Sequence, residues 1–510
     1  MSELIKISQE RETEAMKIIK NKRLTFMQQV LELYKMGEDS VGPITVNDEY
    51  LEAKEKGILC DLYEGNGPFR PRYTMPNFKL LFEKGSKFLD LQKPEDLDEA
   101  INNLLIFYRH IPSSGAYPVY LGNIDDLLEP YVIKEDITYA KKKLRLFLKY
   151  IDKAIPDSFV HLNIGPYDTV TGRLILELTE EMQLAVPNIT LKYDKHKTSD
   201  EFAALCAKCM LKTAKPSFAN DVMIQKDWGE DYGIASCMNL LKIGGGGYTL
   251  ARIKLHETAK ASKSIDDFKT NVLPHYMRVL LEFIDRRIKF MNEESVFFES
   301  NFMVQEGFLE REKFTGMVGV VGMAECVNHL LCIDNPKEGF GNNEEADNLG
   351  IEIMEIIQSI VNNHKGLYCS EVNNRYGLHA QVGISDDRKS NTPGVRIPIG
   401  SEPELLEHLG HSARFHKYFP TGIGDIFTFE DTWLNTTDAL VDIIKGAFDM
   451  GVKYFSAYLS GSDVVRVTGY LVKKSDLAKL DNGLQVLNGA SELARGQRDG
   501  AGALNRRIEK

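Results

Sequence analysis

Two short segments of this 510-residue chain hold residue types suited to chemistry. The first, Asp231-Tyr232-Gly233-Ile234-Ala235-Ser236-Cys237-Met238-Asn239, runs shortly into Gly244-Gly245-Gly246-Gly247. A cysteine between a β-like approach and a glycine run suggests a tight loop with the thiol at its tip, the glycines allowing backbone conformations closed to other residues. A buried structural thiol is the ordinary alternative. The second segment, Val464-Val465-Arg466-Val467-Thr468-Gly469-Tyr470-Leu471-Val472, is a β-rich run broken by one glycine near the end of the chain. Taken locally, that pattern means a bulge or a close backbone approach.

Other chemical signatures are absent or weak. No Gly-x-x-x-x-Gly-Lys-Ser/Thr, Gly-x-Ser-x-Gly or His-Glu-x-x-His occurs, so phosphate loops, nucleophile elbows and zincin helices are not indicated. Gly316, Gly319 and Gly322 fit tight packing or turning better than a dinucleotide fingerprint. His408, His411 and His416 read as satisfied or surface side chains, and no metal site is expected. Cys206 and Cys209 share a helical run, where packing explains them. Cys326 could be a second reactive thiol beside Glu325, but Val327, Leu330 and Leu331 favour a core position.

These segments need elements to hold them. Up to about Tyr150 the chain reads as helices broken at Gly65-Asn66-Gly67-Pro68 and Pro112-Ser113-Ser114-Gly115. Ser264 with Asp267 resembles a capping box, and Met277, Leu280, Leu281, Ile284 and Ile288 share one helical face. β-like runs occur at Phe159–Asn163, Ile189–Tyr193 and Val464–Val467. Mixed helices and strands, with no repeat and no Pro- or Ser-rich linker, give one large α/β domain, residues 1–440, and a semi-independent C-terminal piece, residues 441–510.

Composition narrows the function further. Hydrophobic residues make up 43% and charged residues 27% of the chain, which suits a soluble globular protein. A net charge of -12 argues against a nucleic-acid partner. The basic run Lys141-Lys142-Lys143-Leu144-Arg145 reads as the solvated face of a helix. Without a long apolar stretch or secretory leader, and with seven cysteines read as reduced thiols, the expectation is a cytoplasmic protein without a membrane span.

Together the two segments resemble the Cys loop and Gly loop of the glycyl radical enzymes. Pro187-Asn188-Ile189-Thr190-Leu191-Lys192-Tyr193 is similar to that family's strand before a helix, and Lys215-Pro216-Ser217-Phe218-Ala219-Asn220-Asp221 to its Pro-Ser-Phe-x-Asn-Asp element. Asp-Tyr-Gly-Ile-Ala-Ser-Cys and Arg-Val-Thr-Gly-Tyr follow in the family's order, and the chain length is that of the YjjI-type branch. Phe314 to Glu325 also looks like anaerobic ribonucleotide reductases. The resemblance implies a ten-stranded α/β barrel of two half-barrels arranged antiparallel and surrounded by helices, with a C-terminal glycyl radical domain. It further implies a stored radical on Gly469, a thiyl radical on Cys237, a radical S-adenosylmethionine activating enzyme as partner, and a homodimer.

The residue types suit those roles. A glycine Cα radical can lie planar between an amide nitrogen and a carbonyl, both of which delocalise it. A thiol S–H bond is close in strength to that Cα–H bond, so hydrogen can pass reversibly between them. Ser236 precedes Cys237 where pyruvate formate-lyases carry a second cysteine, which excludes acyl transfer between adjacent thiols. Asn239 stands where diol lyases of the family carry glutamate, and an amide cannot take a substrate proton at neutral pH. No cysteine follows Cys369, so the reductases' C-terminal zinc ribbon is absent. The expectation is a lyase or eliminase of a small hydroxylated metabolite. The alternatives are a radical reductase of a sugar or nucleoside, and a catalytically silent barrel. Asn239, Asn163, His110, Ser114, Asn220 and Asp221 are candidate substrate contacts.

Overall fold

The computed structural model describes residues 2–39, 47–60, 67, 69–114, 119–155, 159–236, 238–380 and 392–510. Ten strands carry the architecture: β1 (Tyr73–Met75), β2 (Tyr120–Asn123), β3 (His161–Ile164), β4 (Asn188–Tyr193), β5 (Ser217–Asn220), β6 (Gly245–Lys254), β7 (Phe314–Val321), β8 (Gly377–Ala380), β9 (Asp425–Phe429) and β10 (Tyr454–Leu459). Strands β2 to β5 lie side by side and parallel. So do β6, β7 and β8, and so do β9 and β10.

Antiparallel pairs extend these groups, β5 against β10 and β1 against β6. Between β8 and β9 the hydrogen bonds are carried by a connecting segment rather than by a strand. Thr421 donates from its N–H and Oγ1 to Leu378 O, and Ala380 N donates to Gly422 O. The mixed α/β arrangement implied by the resemblance is therefore present, with its ten strands shared between two hydrogen-bonded sheets.

Each strand is buried on both faces, as a parallel sheet covered by helices requires. In β4, Asn188 and Lys192 bond the two loop hairpins, and Thr190 between them bonds His161 and Tyr454. Ile189 and Leu191 alternate with them in the main apolar core. The crossover helices begin at ordinary caps: Thr169 accepts from Gly172 N and Ser199 from Phe202 N. Ser264 likewise accepts from Asp267 N. The helix Leu273–Lys289 then buries Met277, Leu280, Leu281, Ile284 and Ile288 as expected, after a π-helical turn over Phe268–Val272.

Some local expectations change. The helix Leu97–Ser114 runs through Pro112 instead of stopping there. A proline so near a helix C-terminus forfeits one N–H bond with only half a turn beyond it. Most of the Gly65–Pro68 breaker lies outside the described residues. The glycine run does not shape the cysteine loop; it opens β6 beside β1. A Cβ on Gly246 would stand 2.0 Å from Tyr73 O, and one on Gly245 would stand 2.1 Å from Lys313 O. The Gly316–Gly322 series does serve packing and turning. A Cβ on Gly319 would meet Arg252 Cγ at 2.4 Å, and Gly322 has φ +79°.

One apolar cluster runs from Tyr50 to Leu459. A second gathers Val464, Val465, Val467, Tyr470, Leu471 and Val472 with Ala185, Ala214, Ile426 and Tyr458 of the strand-and-helix body.

Candidate active site

The cysteine segment folds as a hairpin whose arms, Tyr232–Ala235 and Asn239–Lys242, pair antiparallel. Cys237 itself lies outside the described residues, between Ser236 and Met238. Both of these flanking residues are buried and have positive φ, 52° and 67°. Non-glycine residues hold that conformation only where the surroundings over-determine it.

The surroundings here are specific. The Asn163 amide donates to Ile234 O and accepts from Ile234 N, each at 2.9 Å, standing in for a neighbouring strand. The Lys192 ammonium donates to Tyr232 O at 2.6 Å and sits 4.2 Å from the Tyr232 ring centroid. The Tyr232 hydroxyl donates to Asp221 at 2.6 Å. Leu240 N donates to Thr421 O, which ties the second arm to the opposite side of the molecule.

At the tip, His161 Nδ1 lies 3.1 Å from Ser236 O and its Nε2 lies 2.7 Å from Thr190 Oγ1. A carbonyl can only accept, so Nδ1 carries the proton and Nε2 accepts from Thr190. Thr190 Oγ1 in turn accepts from the Tyr454 hydroxyl at 2.6 Å. The imidazole stays neutral: burial first, then the charge of Arg466, holds its pKa down to about 3.

The glycine segment forms a second hairpin, Val464–Arg466 against Leu471–Lys473, closed by Val467 N donating to Tyr470 O. Gly469 is buried at its turn. Its carbonyl accepts from Asn188 Nδ2 at 3.3 Å and from the Arg466 guanidinium at 3.2 Å. Arg466, fully buried, also donates to Asn188 Oδ1 at 2.8 Å and Ala214 O at 3.0 Å. The two hairpins thus reach the same face of β4. Asn188 touches Gly469, and Thr190, two residues on, touches the histidine beneath Ser236. That spacing is about 7 Å along the strand.

A third group borders Met238. Gly422 has φ +133°, and a Cβ there would stand 1.9 Å from Met238 O and 3.0 Å from His379 Cε1, so only glycine lets this segment pass the cysteine turn. Arg396 lies 3.8 Å from Met238 Sδ and 3.9 Å from Asp425. Arg252, Gly319 and His379 share one register across β6, β7 and β8. Burial, then Arg72 and Arg396, holds the His379 pKa down to about 4.

Residues 24–509 match the description of a glycyl radical enzyme, YjjI-like. The chain belongs to the YjjI-like glycyl radical enzymes. Relatives include a Haemophilus influenzae protein, 45% identical over 96% of both chains. The YjjI protein of Escherichia coli is 41% identical over 84% of this chain and 83% of its own. Among solved structures, an anaerobic ribonucleotide reductase aligns over all of this chain and 87% of its own, with TM-score 0.68 at 14% identity. A B12-independent glycerol dehydratase from Clostridium butyricum aligns over 93% and 83%, with TM-score 0.64 at 12% identity. At such identities these neighbours establish the fold.

Against this family frame, the candidate side chains divide. Asn163, Asp221 and Asn239 cluster on the cysteine hairpin. Asn239 Nδ2 donates to Ala235 O, while its buried Oδ1 has no hydrogen-bond partner among the described residues. Asn220 caps its helix through Met223 N and donates to Phe448 O and Val452 O. His110 lies on the helix Leu97–Ser114 with its ring edge-on to Phe302, and Ser114 ends that helix. His408, His411 and His416 lie on one helix, bound to aspartates: His411 to Asp347 at 3.0 Å and His416 to Asp425 at 3.2 Å. Cys206, Cys209 and Cys326 are buried. Among the described residues, no helix is long and apolar enough to cross a membrane.

Sequence reasoning passed over His161, Thr190, Tyr454, Asn188 and His379. A signal existed for three of them. In β3 and β4, His161, Asn188 and Thr190 belong to polar sets alternating with Leu162, Ile164, Ile189 and Leu191, and buried polar residues at a period of two mark an inner face.

Proposed function

We propose that this chain is a glycyl radical lyase in which Gly469 stores the radical and Cys237 is the hydrogen-abstracting thiyl, acting on a small hydroxylated metabolite. The observation that supports this reading is the convergence of the two hairpins on Asn188 and Thr190 of β4. Gly469 Cα would take hydrogen from the Cys237 thiol, and Cys237 sulfur would then take hydrogen from a substrate carbon that bears a hydroxyl. After a neighbouring group leaves, the product carbon would recover hydrogen from Cys237. Burial of both loops suits such a reaction by keeping water and oxygen away.

Of the polar candidates, Asn239, two residues after Cys237 in the chain, keeps an amide oxygen with no partner among the described residues, and we assign it to orienting the substrate hydroxyl or carbonyl. The amides and carboxylates of Asn163, Asn220 and Asp221 are engaged in holding elements together. Of the C-terminal piece 441–510, β10 is paired into the sheet with β9 and β5, so the part after Leu459 would carry Gly469 out to a radical S-adenosylmethionine activating enzyme, in a cytoplasmic homodimer.

A second reading, a radical reductase of a sugar or nucleoside, draws on the likeness of fold to anaerobic ribonucleotide reductases. The two separate by stoichiometry. After anaerobic activation, the protein is incubated with propane-1,2-diol, glycerol and a ribonucleoside panel, with and without formate or dithiothreitol. A lyase yields carbonyl product from a diol without consuming the additive, and Cys237→Ala yields none. Consumption of one reductant per product would replace the lyase reading with the reductase one. Turnover unchanged in Cys237→Ala would remove both.

A further inference from the structure

The radical-storing glycine is held through its carbonyl, by a pair of side chains with little other reason to be polar. Asn188 is buried at the first position of β4, and Arg466 is among the largest fully buried side chains of the protein. Burying an amide and a guanidinium is costly unless their hydrogen-bonding groups are matched. The matches here converge on one oxygen: Asn188 Nδ2 at 3.3 Å and the Arg466 guanidinium at 3.2 Å both donate to Gly469 O. A third bond, Arg466 to Asn188 Oδ1 at 2.8 Å, locks the donors to each other, and Ile189 N donates to the same Oδ1 at 2.9 Å. Arg466 is braced further on Ala214 O, at the end of the helix Asp200–Thr213, where a cation suits the helix dipole. Arg506 donates to the carbonyls of Arg466 and Val467, fixing the strand end from which the Arg466 side chain reaches back.

We propose that Asn188 and Arg466 are positioning residues that set the poise of hydrogen exchange between Gly469 and Cys237, by donating to the Gly469 carbonyl. This rests on the assignment of Gly469 and Cys237 made above. The exchange is balanced within the protein. The Gly469 Cα–H bond breaks as the Cys237 S–H bond forms, one hydrogen atom moves, and no outside electron is needed. In the glycyl state, part of the unpaired electron density lies on the carbonyl oxygen. A cationic donor and an amide donor at that oxygen stabilise this state relative to the closed-shell glycine, more strongly in a dry site than in water. Their grip also keeps the amide and carbonyl groups flanking Cα in one orientation, which the planar radical requires. Asn188 sits on the barrel strand, outside the hairpin that the activating enzyme must handle, so its contribution begins when the loop is home.

The test uses the full-length protein, its radical S-adenosylmethionine activase and electron paramagnetic resonance. Asn188→Asp is the informative variant. A carboxylate can still accept from Arg466 and hold it in place, yet it cannot donate to Gly469 O. The expected result is a glycyl doublet formed in wild-type yield but with a larger α-proton splitting, since less spin reaches the oxygen. In deuterated buffer the doublet would collapse faster, by on the order of tenfold, the scale of one lost hydrogen bond to a charged or radical-bearing group. Arg466→Gln, which keeps an amide donor, should fall between wild type and Arg466→Leu. Splitting and exchange rate unchanged in both Asn188→Asp and Arg466→Leu, with the doublet present, would overturn the inference and leave these residues a packing role. A wild-type doublet that does not exchange would instead strike the Cys237 assignment beneath it, and no wild-type doublet would strike Gly469.

Discussion

At the scale of single residues, the site is governed by buried groups kept in one protonation state. His161 is neutral with its proton on Nδ1 because Ser236 O can only accept, and Thr190 completes the arrangement from the other side. His379 is likewise held neutral beside Arg72 and Arg396. The pH consequence has a definite sign. An unfolded histidine gains its proton near pH 6.5, whereas these two folded ones resist until about 3 and about 4. Between those limits the unfolded chain binds more protons, so acidification destabilises the fold, by at most about 1.4 kcal/mol per pH unit for each histidine. Thermal unfolding followed from pH 7 to pH 4.5 should show the midpoint falling, and His161→Gln should flatten part of that fall. A slope unchanged by His161→Gln would contradict the neutral, buried assignment. Cys237, Gly469 and Asn239 are singled out in the sequence because a motif marks them. His379 is not, since a lone histidine at the end of an apolar strand resembles any core histidine until the fold brings Met238 and two arginines around it.

At the scale of elements, side chains do the work of missing strands. Among the described residues, the cysteine hairpin has no strand neighbour on its Ile234 side. The Asn163 amide supplies both bonds that a neighbour would have made, while Lys192 of β4 and Asp221, at the start of the helix after β5, hold Tyr232. Replacing Asn163 by Leu leaves a buried N–H and C=O unmatched, a cost of about 1–3 kcal/mol. Hydrogen exchange should therefore quicken at Ile234 and its neighbours while β4 and β5 keep their protection. Uniform loss of protection across both sheets would show instead that the hairpin folds as one unit with the barrel. The strands and helices themselves were largely readable. The runs around 159–163 and 189–193 form β3 and β4, and the Ser264 cap with its downstream apolar face forms as expected. The glycine run was misread because close strand approach and loop flexibility both select glycine, and only the position of Tyr73 O distinguishes them.

At the scale of the molecule, groups of parallel strands are extended by antiparallel pairs, with two hairpins brought to one face of β4. No local pattern encodes that meeting. The segments lie far apart in sequence, and their contact depends on β4 standing between β3 and β5 with its even-numbered residues turned inward. Membership of the YjjI-like glycyl radical enzymes accounts for both hairpins together, where either alone would pass for an ordinary turn. The second apolar cluster, built largely from residues after Val464, gives the glycine hairpin a packing base with few partners in the main body. This suits the proposed release and return of Gly469.

Everything proposed for this site depends on Gly469, at the turn of the second hairpin, carrying the radical. The most direct measurement is an anaerobic electron paramagnetic resonance spectrum after incubation with a radical S-adenosylmethionine activase, S-adenosylmethionine and a low-potential reductant. A doublet near the free-electron value is expected, whose splitting collapses when glycine deuterated at Cα is incorporated and which is absent in Gly469→Ala. A doublet that persists in Gly469→Ala, or no doublet with a matched activase shown to cleave S-adenosylmethionine, would contradict that role.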